Sequence, residues 1–222
     1  MRRALHLLVS AAWVLVSGGC GKTRADDPRP GDAQPPPPAW KGTRVYAGGD
    51  VSCSLDRNGH AVCWGNLLNG KFNPPPETFV ELTVGGNFVC GLRPDRTPVC
   101  WGFGKHGSMN SALDPPPGRY REISAGSSYG CGILETESKL VCWGSLDYGL
   151  TDPPDGRFKT VAAGGSHACA LREDGSAVCW GLNMTGVSDA PAGRFERVYA
   201  GEASCALDAD ARLTCWGFAA RA

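Results

Sequence analysis

Cys-Trp-Gly stands five times in this chain, beginning at Cys63, Cys100, Cys142, Cys179 and Cys215, at intervals of 37, 42, 37 and 36 residues. A fixed period in this range is the mark of a repeat array, in which each unit is too small to bury its own apolar faces and stacks on its neighbours. A partner cysteine lies upstream of each copy, at Cys53, Cys90, Cys131, Cys169 and Cys205, with separations of 10, 10, 11, 10 and 10 residues. Further upstream a small residue followed by Gly recurs at Ala47-Gly48, Val84-Gly85, Ala125-Gly126, Ala163-Gly164 and Ala200-Gly201. Each step follows an aliphatic residue, Val45, Leu82, Ile123, Val161 or Val198. The five units fill residues 40–222.

Local turn chemistry defines what lies between paired cysteines. In Cys53-Ser-Leu-Asp-Arg-Asn-Gly-His-Ala-Val-Cys63, Asn58-Gly59 separates two strand-like arms, a hairpin signal. Arms of equal length require a three-residue loop, Arg57 to Gly59, whose third residue adopts the left-handed region where Gly meets no side-chain clash. Gly175 fills the same position in the fourth unit. Pairing then runs Asp56 with His60, Leu55 with Ala61, Ser54 with Val62 and Cys53 with Cys63. Alternation places the cysteines at a non-hydrogen-bonded pair, with α-carbons about 4.5 Å apart, a separation that a disulfide spans. The third unit has one extra residue, and a four-residue loop, Glu135 to Ser138, restores the facing pair Cys131 and Cys142. The spacing predicts the bridges Cys53–Cys63, Cys90–Cys100, Cys131–Cys142, Cys169–Cys179 and Cys205–Cys215. Zinc is the rival use of so many cysteines, but the chain has none of the close Cys-x2-Cys or Cys-x4-Cys knuckles of structural sites.

Both faces of these arms are apolar. Val62, Val99, Val141, Val178 and Thr214 share a face with Trp64, Trp101, Trp143, Trp180 and Trp216, while Cys53, Leu55, Ala61 and Cys63 occupy the other. Strands apolar on both sides belong between packed sheets. The tryptophans are read as inter-sheet core rather than as stacking platforms for sugars. The expected fold is all-β: a β-propeller of five short disulfide-stapled blades, with closure into a ring favoured over an open arc because closure buries both end faces.

The fullest unit, Gly156-Arg-Phe-Lys-Thr-Val-Ala-Ala-Gly-Gly-Ser-His-Ala-Cys-Ala-Leu-Arg-Glu-Asp-Gly-Ser-Ala-Val-Cys-Trp-Gly-Leu-Asn-Met-Thr-Gly186, resembles the short bacterial form of the regulator-of-chromosome-condensation repeat. That superfamily also contains the propeller-shaped β-lactamase inhibitor proteins. The resemblance extends over all five units and implies a ring of blades that presents a loop-built surface. Its members include exchange factors, photoreceptors and inhibitors, so it implies a fold and a mode of binding rather than one activity.

The first residues read as an export signal, Arg2 and Arg3 leading an apolar stretch from Ala4 to Val16 that is too short to span a bilayer. Val16-Ser17-Gly18-Gly19-Cys20 resembles a bacterial lipobox, which implies cleavage after residue 19 and acylation of Cys20. The cysteine count agrees, since 11 cysteines leave one outside the five pairs. Gly at position 21 implies sorting to the outer membrane. Residues 20–39 are Pro-rich and read as an extended tether. The expected organisation is therefore a signal over 1–19, a lipidated tether over 20–39, and the repeat domain over 40–222.

Twenty-two basic and 22 acidic residues give no net charge, which disfavours a nucleic-acid partner. His60, His106 and His167 each stand at a different repeat position, and no nucleophile elbow, phosphate loop or paired carboxylate motif is present. The sequence therefore predicts no enzyme, no cofactor and no metal. His167 occupies a slot filled elsewhere by Val51, Phe88, Tyr129 and, near a one-residue deletion, Ser204, and is read as packing. Strands must be alike to stack, whereas loops are free to differ. The segments Trp-Gly-x4-Gly of the first four units, ending at Gly70, Gly107, Gly149 and Gly186, are the candidate binding loops, with Phe103, Lys105, His106, Tyr148 and Met184 as candidate contacts. The expected function is a membrane-anchored extracytoplasmic scaffold that binds a protein or glycan. The alternatives are an envelope inhibitor of a hydrolase and a purely architectural envelope protein.

Overall fold

The computed structural model describes residues 44–67, 70–103, 107 and 111–217, all within the compact unit Ala33–Ala222. Cys20, Lys105 and His106 lie outside the described residues. The described chain forms five three-stranded antiparallel sheets. Blade one comprises β1 (Arg44–Gly48), β2 (Val51–Leu55) and β3 (Ala61–Gly65), and blade two β4 (Glu81–Val84), β5 (Phe88–Leu92) and β6 (Pro98–Gly102). Blade three comprises β7 (Tyr120–Ala125), β8 (Tyr129–Leu134) and β9 (Leu140–Gly144), and blade four β10 (Phe158–Ala163), β11 (His167–Arg172) and β12 (Ala177–Gly181). Blade five comprises β13 (Arg197–Ala200), β14 (Ser204–Leu207) and β15 (Leu213–Trp216). Within each blade the strands neighbour one another in chain order.

The hairpin register is the one the loop argument predicts. Leu55 pairs with Ala61 and Cys53 with Cys63, and the Asp56 N–H donates to the His60 carbonyl at 2.9 Å. In blade three Leu134 and Lys139 close a four-residue loop at 3.0 Å, and Cys131 again faces Cys142. All five facing pairs are disulfides with α-carbons 4.0 Å apart, slightly closer than expected. The left-handed loop position holds Gly59 (φ 86°) and Gly175 (φ 87°), but Arg96, Ser138 and Ala211 also adopt it, with φ of 69°, 56° and 61°. Tertiary links to the following blade hold Arg96 and Ser138 there, while Ala211, in blade five, is closed by its own N–H, which donates to the Asp208 carbonyl at 3.1 Å. The Phe79 N–H donates to the Gly59 carbonyl, Tyr120 to Arg96, Phe158 to Ser138 and Phe195 to Gly175, at 2.7–2.9 Å.

Successive blades pack by one rule. The second strand of a blade lies against the first strand of the next, β2 on β4, β5 on β7, β8 on β10 and β11 on β13, and the first strands also approach one another. This convergence explains the small-Gly step. A Cβ placed on Gly85 would stand 2.1 Å from the Gly126 carbonyl oxygen, and one on Gly126 would stand 2.6 Å from that of Gly164. The backbones of neighbouring blades occupy the space a side chain would need.

The core divides into four clusters, one in each junction between successive blades. Four of the five tryptophans insert there as expected, while the partly exposed Trp64 of blade one belongs to none of these clusters. Trp101, Trp143 and Trp216 are buried, and Trp180 packs half-buried between blades three and four. Each indole N–H also donates to a carbonyl in the connection that leads into its own blade: Trp101 to Phe72, Trp143 to Ala112, Trp180 to Leu150 and Trp216 to Val187, at 2.9–3.2 Å. The tryptophan thus anchors an otherwise irregular connection as well as filling the junction.

Closure of a five-blade ring would press blade five against blade one, and the residues concerned are open to solvent. Val45 is 53% exposed, whereas its counterparts Leu82, Ile123, Val161 and Val198 are 2–6% exposed. At the other end Leu213 is 61% exposed, Cys215 is exposed, and Cys205 is only partly covered.

Candidate functional site

The Gly of each Cys-Trp-Gly builds the rim on which the candidate loops stand. Gly65, Gly102, Gly144 and Gly181 have φ between 101° and 141°, and a Cβ on Gly65 would lie 2.3 Å from the Asp50 carbonyl oxygen. The chain turns sharply there and returns onto the turn between the first and second strands. The next residue then donates to that turn: Asn66 to Asp50, Phe103 to Asn87, Ser145 to Ser128 and Leu182 to Ser166, at 2.7–3.0 Å. The Trp-Gly-x4-Gly segments and the first turn of each blade therefore share one rim. The hairpin tips occupy the other.

Of the predicted contacts, Phe103, Tyr148 and Met184 are 55%, 62% and 84% exposed on the segments of blades two, three and four. Leu146, beside Tyr148 in sequence, is 60% exposed and was not singled out by the sequence. Tyr148 takes a left-handed conformation, φ 56° and ψ 18°, inside the short 3-10 turn Asp147–Gly149, and the Ser145 hydroxyl donates to the Asp147 carboxylate at 2.6 Å. In blade four, Asn183 bridges the loop by donating to Asp189 at 2.8 Å and accepting from the Ser188 N–H at 3.0 Å. The Lys71 ammonium sits 4.3 Å from the centroid of the Phe103 ring, a cation–π contact between the segments of blades one and two. No sequence pattern marked Lys71, because it follows the second Gly of its segment rather than standing between the two.

His167 is buried in the frame, away from this rim's exposed side chains. Its Nε2 lies 2.7 Å from the Ser204 Oγ, a pairing that superficially resembles a hydrolase dyad. The Ser204 hydroxyl donates to the Val187 carbonyl at 2.9 Å, so it accepts from the imidazole N–H, the reverse of the polarity a nucleophile needs. Burial holds the His167 pKa below its ordinary value and keeps the ring neutral. The Tyr129 hydroxyl donates to the His167 carbonyl at 2.6 Å. These contacts join blades three, four and five by hydrogen bonds, which fits the packing role. The register corrects the slot comparison: Ser204 pairs with Trp216 as Ala168 pairs with Trp180, and Ala203 is the residue that corresponds to His167.

On the first strands, Glu81 and Glu122 hold the same register four residues before the small-Gly glycine. Glu122 accepts from the Thr160 hydroxyl at 2.7 Å and from the Val161 N–H at 3.4 Å, capping an edge donor of the next blade. Burial raises its pKa. Glu81 is pushed up to about 7, chiefly by burial and secondarily by the neighbouring Glu122. Among the described residues no group of three or more His, Cys, Asp or Glu side chains is placed to hold a metal ion.

Residues 158–184 match the family described as the Regulator of chromosome condensation (RCC1) repeat. Among solved structures, the CRINKLY WD40 ectodomain of the Arabidopsis thaliana receptor kinase ACR4 is 31% identical over 82% of this chain and 67% of its own, with a TM-score of 0.66. The ectodomain of the Physcomitrella patens receptor kinase CR4 is 28% identical over 86% of this chain and 52% of its own, with a TM-score of 0.67. Prp20p of Saccharomyces cerevisiae, 19% identical, shares the fold over 78% of this chain and 56% of its own, with a TM-score of 0.67. The chain thus spans about two thirds of the first of these structures and little more than half of the other two. No curated protein sequence matches it significantly. Five Cys-Trp-Gly units in one register, each folded as a blade on the same inter-blade contacts, place this chain among the RCC1-repeat β-propeller proteins.

Proposed function

We propose that the chain is a membrane-anchored extracytoplasmic scaffold that holds a protein or glycan partner on its Trp-Gly-x4-Gly rim and performs no chemistry of its own. Residues 1–19 direct export, Cys20 carries the lipid, residues 20–39 form the tether, and the blades present the rim. The observation that carries this reading is the contrast between frame and loops. Blade positions repeat in residue type and are buried in the junctions between blades, while Phe103, Leu146, Tyr148 and Met184 differ in type and project into solvent on neighbouring blades. Such exposed aromatic and flexible apolar side chains are the material of an interface. Five disulfides favour an oxidising compartment outside the cytoplasm, as does the likeness to a receptor-kinase ectodomain.

Two measurements test it. Detergent phase partitioning should place the native chain in the detergent phase and Cys20→Ala in the aqueous phase; a wholly aqueous native chain removes the anchor. With a partner captured from intact cell surfaces by the full-length chain, the combined variant Lys105→Ala, His106→Ala, Tyr148→Ala should bind about tenfold more weakly, roughly 1.4 kcal/mol, at unchanged thermal stability. Unchanged affinity would move the site to another surface.

A further inference from the structure

We propose that the Trp-Gly-x4-Gly rim is built for a cationic polypeptide segment in which basic residues alternate with apolar ones; the inference rests on the reading of that rim as the binding surface. Its first support is the apolar row already described, Phe103 on blade two, Leu146 and Tyr148 on blade three and Met184 on blade four, all exposed. The second is charge. The rim bears the exposed carboxylates Asp50, Asp147, Asp152, Asp189 and Glu202, whereas Lys71 is its only cation among the described residues, and Lys71 is held over the Phe103 ring. Lys105 and His106 stand in the blade-two segment, outside the described residues, and still leave the acids in excess.

Two features set these acids apart from ordinary surface charge. The opposite rim interleaves both signs: its acids Asp95, Asp174 and Asp208 stand among arginines, and Arg93 pairs with Glu77, Arg119 with Glu135, Arg157 with Glu173 and Arg212 with Asp210, at 2.6–3.5 Å. Asp152 and Asp189 occur in no ion pair among the described residues, and they recur three residues after Gly149 and Gly186 in a turn closed by their own N–H, at 3.1 and 3.2 Å. Among the described residues this rim is thus net acidic, and its negative charge lies on the face that also exposes apolar side chains. Such a surface repels anionic glycans, nucleic acid and acidic lipid headgroups and speeds encounter with a cationic partner. The apolar row supplies the contact area that charge alone lacks.

The test uses the mature full-length chain in non-ionic detergent and two short labelled peptides, one in which Lys alternates with Leu and Phe, the other with Glu in place of every Lys. Fluorescence anisotropy should show the cationic peptide bound at least about tenfold more tightly than the anionic one, with an affinity that falls as salt rises. The variant Asp147→Asn, Asp152→Asn, Asp189→Asn should weaken it by about tenfold. A second variant, Tyr148→Ala with Met184→Ala, separates the two failures. If it weakens binding but the anionic peptide binds as tightly as the cationic one, the charge inference is overturned and the rim stands. If the cationic peptide binds and neither variant matters, the rim itself is overturned. Binding of neither peptide overturns the inference.

Discussion

The glycines of the small-Gly step offer a matched pair of substitutions with opposite expected signs. Gly85 lies in the junction between blades two and three, where an added Cβ would stand 2.1 Å from the Gly126 carbonyl oxygen, 3.1 Å from the Ala125 Cβ and 3.2 Å from the Phe88 ring. A carbon meets a carbonyl oxygen comfortably at about 3.3–3.6 Å. Gly85→Ala therefore forces two backbones apart by more than about 1 Å, in a junction that buries Phe88, Tyr120 and Ile123. Overpacking of a tight core costs typically 1–3 kcal/mol, and a backbone obstacle that cannot rotate away puts this case at the upper end, about 3 kcal/mol. Gly201 holds the same repeat position at the start of the blade-five turn, yet its Cβ would meet nothing nearer than the Ala203 oxygen at 3.8 Å. Its φ is not left-handed. Gly201→Ala should be neutral or stabilising by up to about 1 kcal/mol, through the lower entropy of the unfolded chain. Equilibrium urea unfolding with disulfides intact would show the midpoint falling for Gly85→Ala and holding or rising for Gly201→Ala, at unchanged slope. Equal damage from both would refute the reasoning, because it would mean that another backbone lies against Gly201, as in a closed ring.

Removal of one staple, by Cys131→Ala with Cys142→Ala, should cost roughly 2.5–3 kcal/mol from the entropy of a loop of about a dozen residues, with no change in the other four bridges on non-reducing peptide maps. The raised Glu81 pKa fixes a sign for pH dependence. The folded state favours the protonated acid up to about pH 7, whereas the unfolded chain releases the proton near 4.5. The contribution is complete below about pH 4.5 and declines as pH rises toward 7. Glu122, Arg96 and Arg44 are the charges that act on it. Glu81→Gln should flatten that decline, worth on the order of 3 kcal/mol, in melting curves taken across the range; a slope identical to the unaltered chain would assign the titration elsewhere.

The blade was legible because the information that specifies it is local. Asn58-Gly59 and equal arm lengths dictate the hairpin, the hairpin makes Cys53 face Cys63, and the period repeats the result. Closure was not legible, since it depends on how far the first strands fan apart, a quantity no single repeat encodes. The tryptophan acceptors were hidden for another reason. Phe72, Ala112, Leu150 and Val187 share no side chain, and what they contribute is a backbone carbonyl; only the constant separation of 29–31 residues betrays them. Ser204 was misplaced because the blade-five turn is one residue short, and counting back from Cys205 rather than forward from Gly201 would have given Ala203. On the rim, Phe103, Tyr148 and Met184 could be found because they break the repeat. The acids of that rim could not be grouped from sequence, because Asp50 and Glu202 enter it from first-strand turns and Asp152 and Asp189 from connections.

Two kinds of link recur from blade to blade among the described residues: a hairpin carbonyl takes the N–H that opens the next first strand, and a connection carbonyl takes the next blade's indole. Each repeat therefore encodes two half-junctions, a socket for its successor and a plug for its predecessor. What gene duplication copies in such a chain is the joint rather than the blade. A repeat can be gained or lost within the array without redesigning any other, which leaves the number of blades free to change while the chemistry of every seam stays the same.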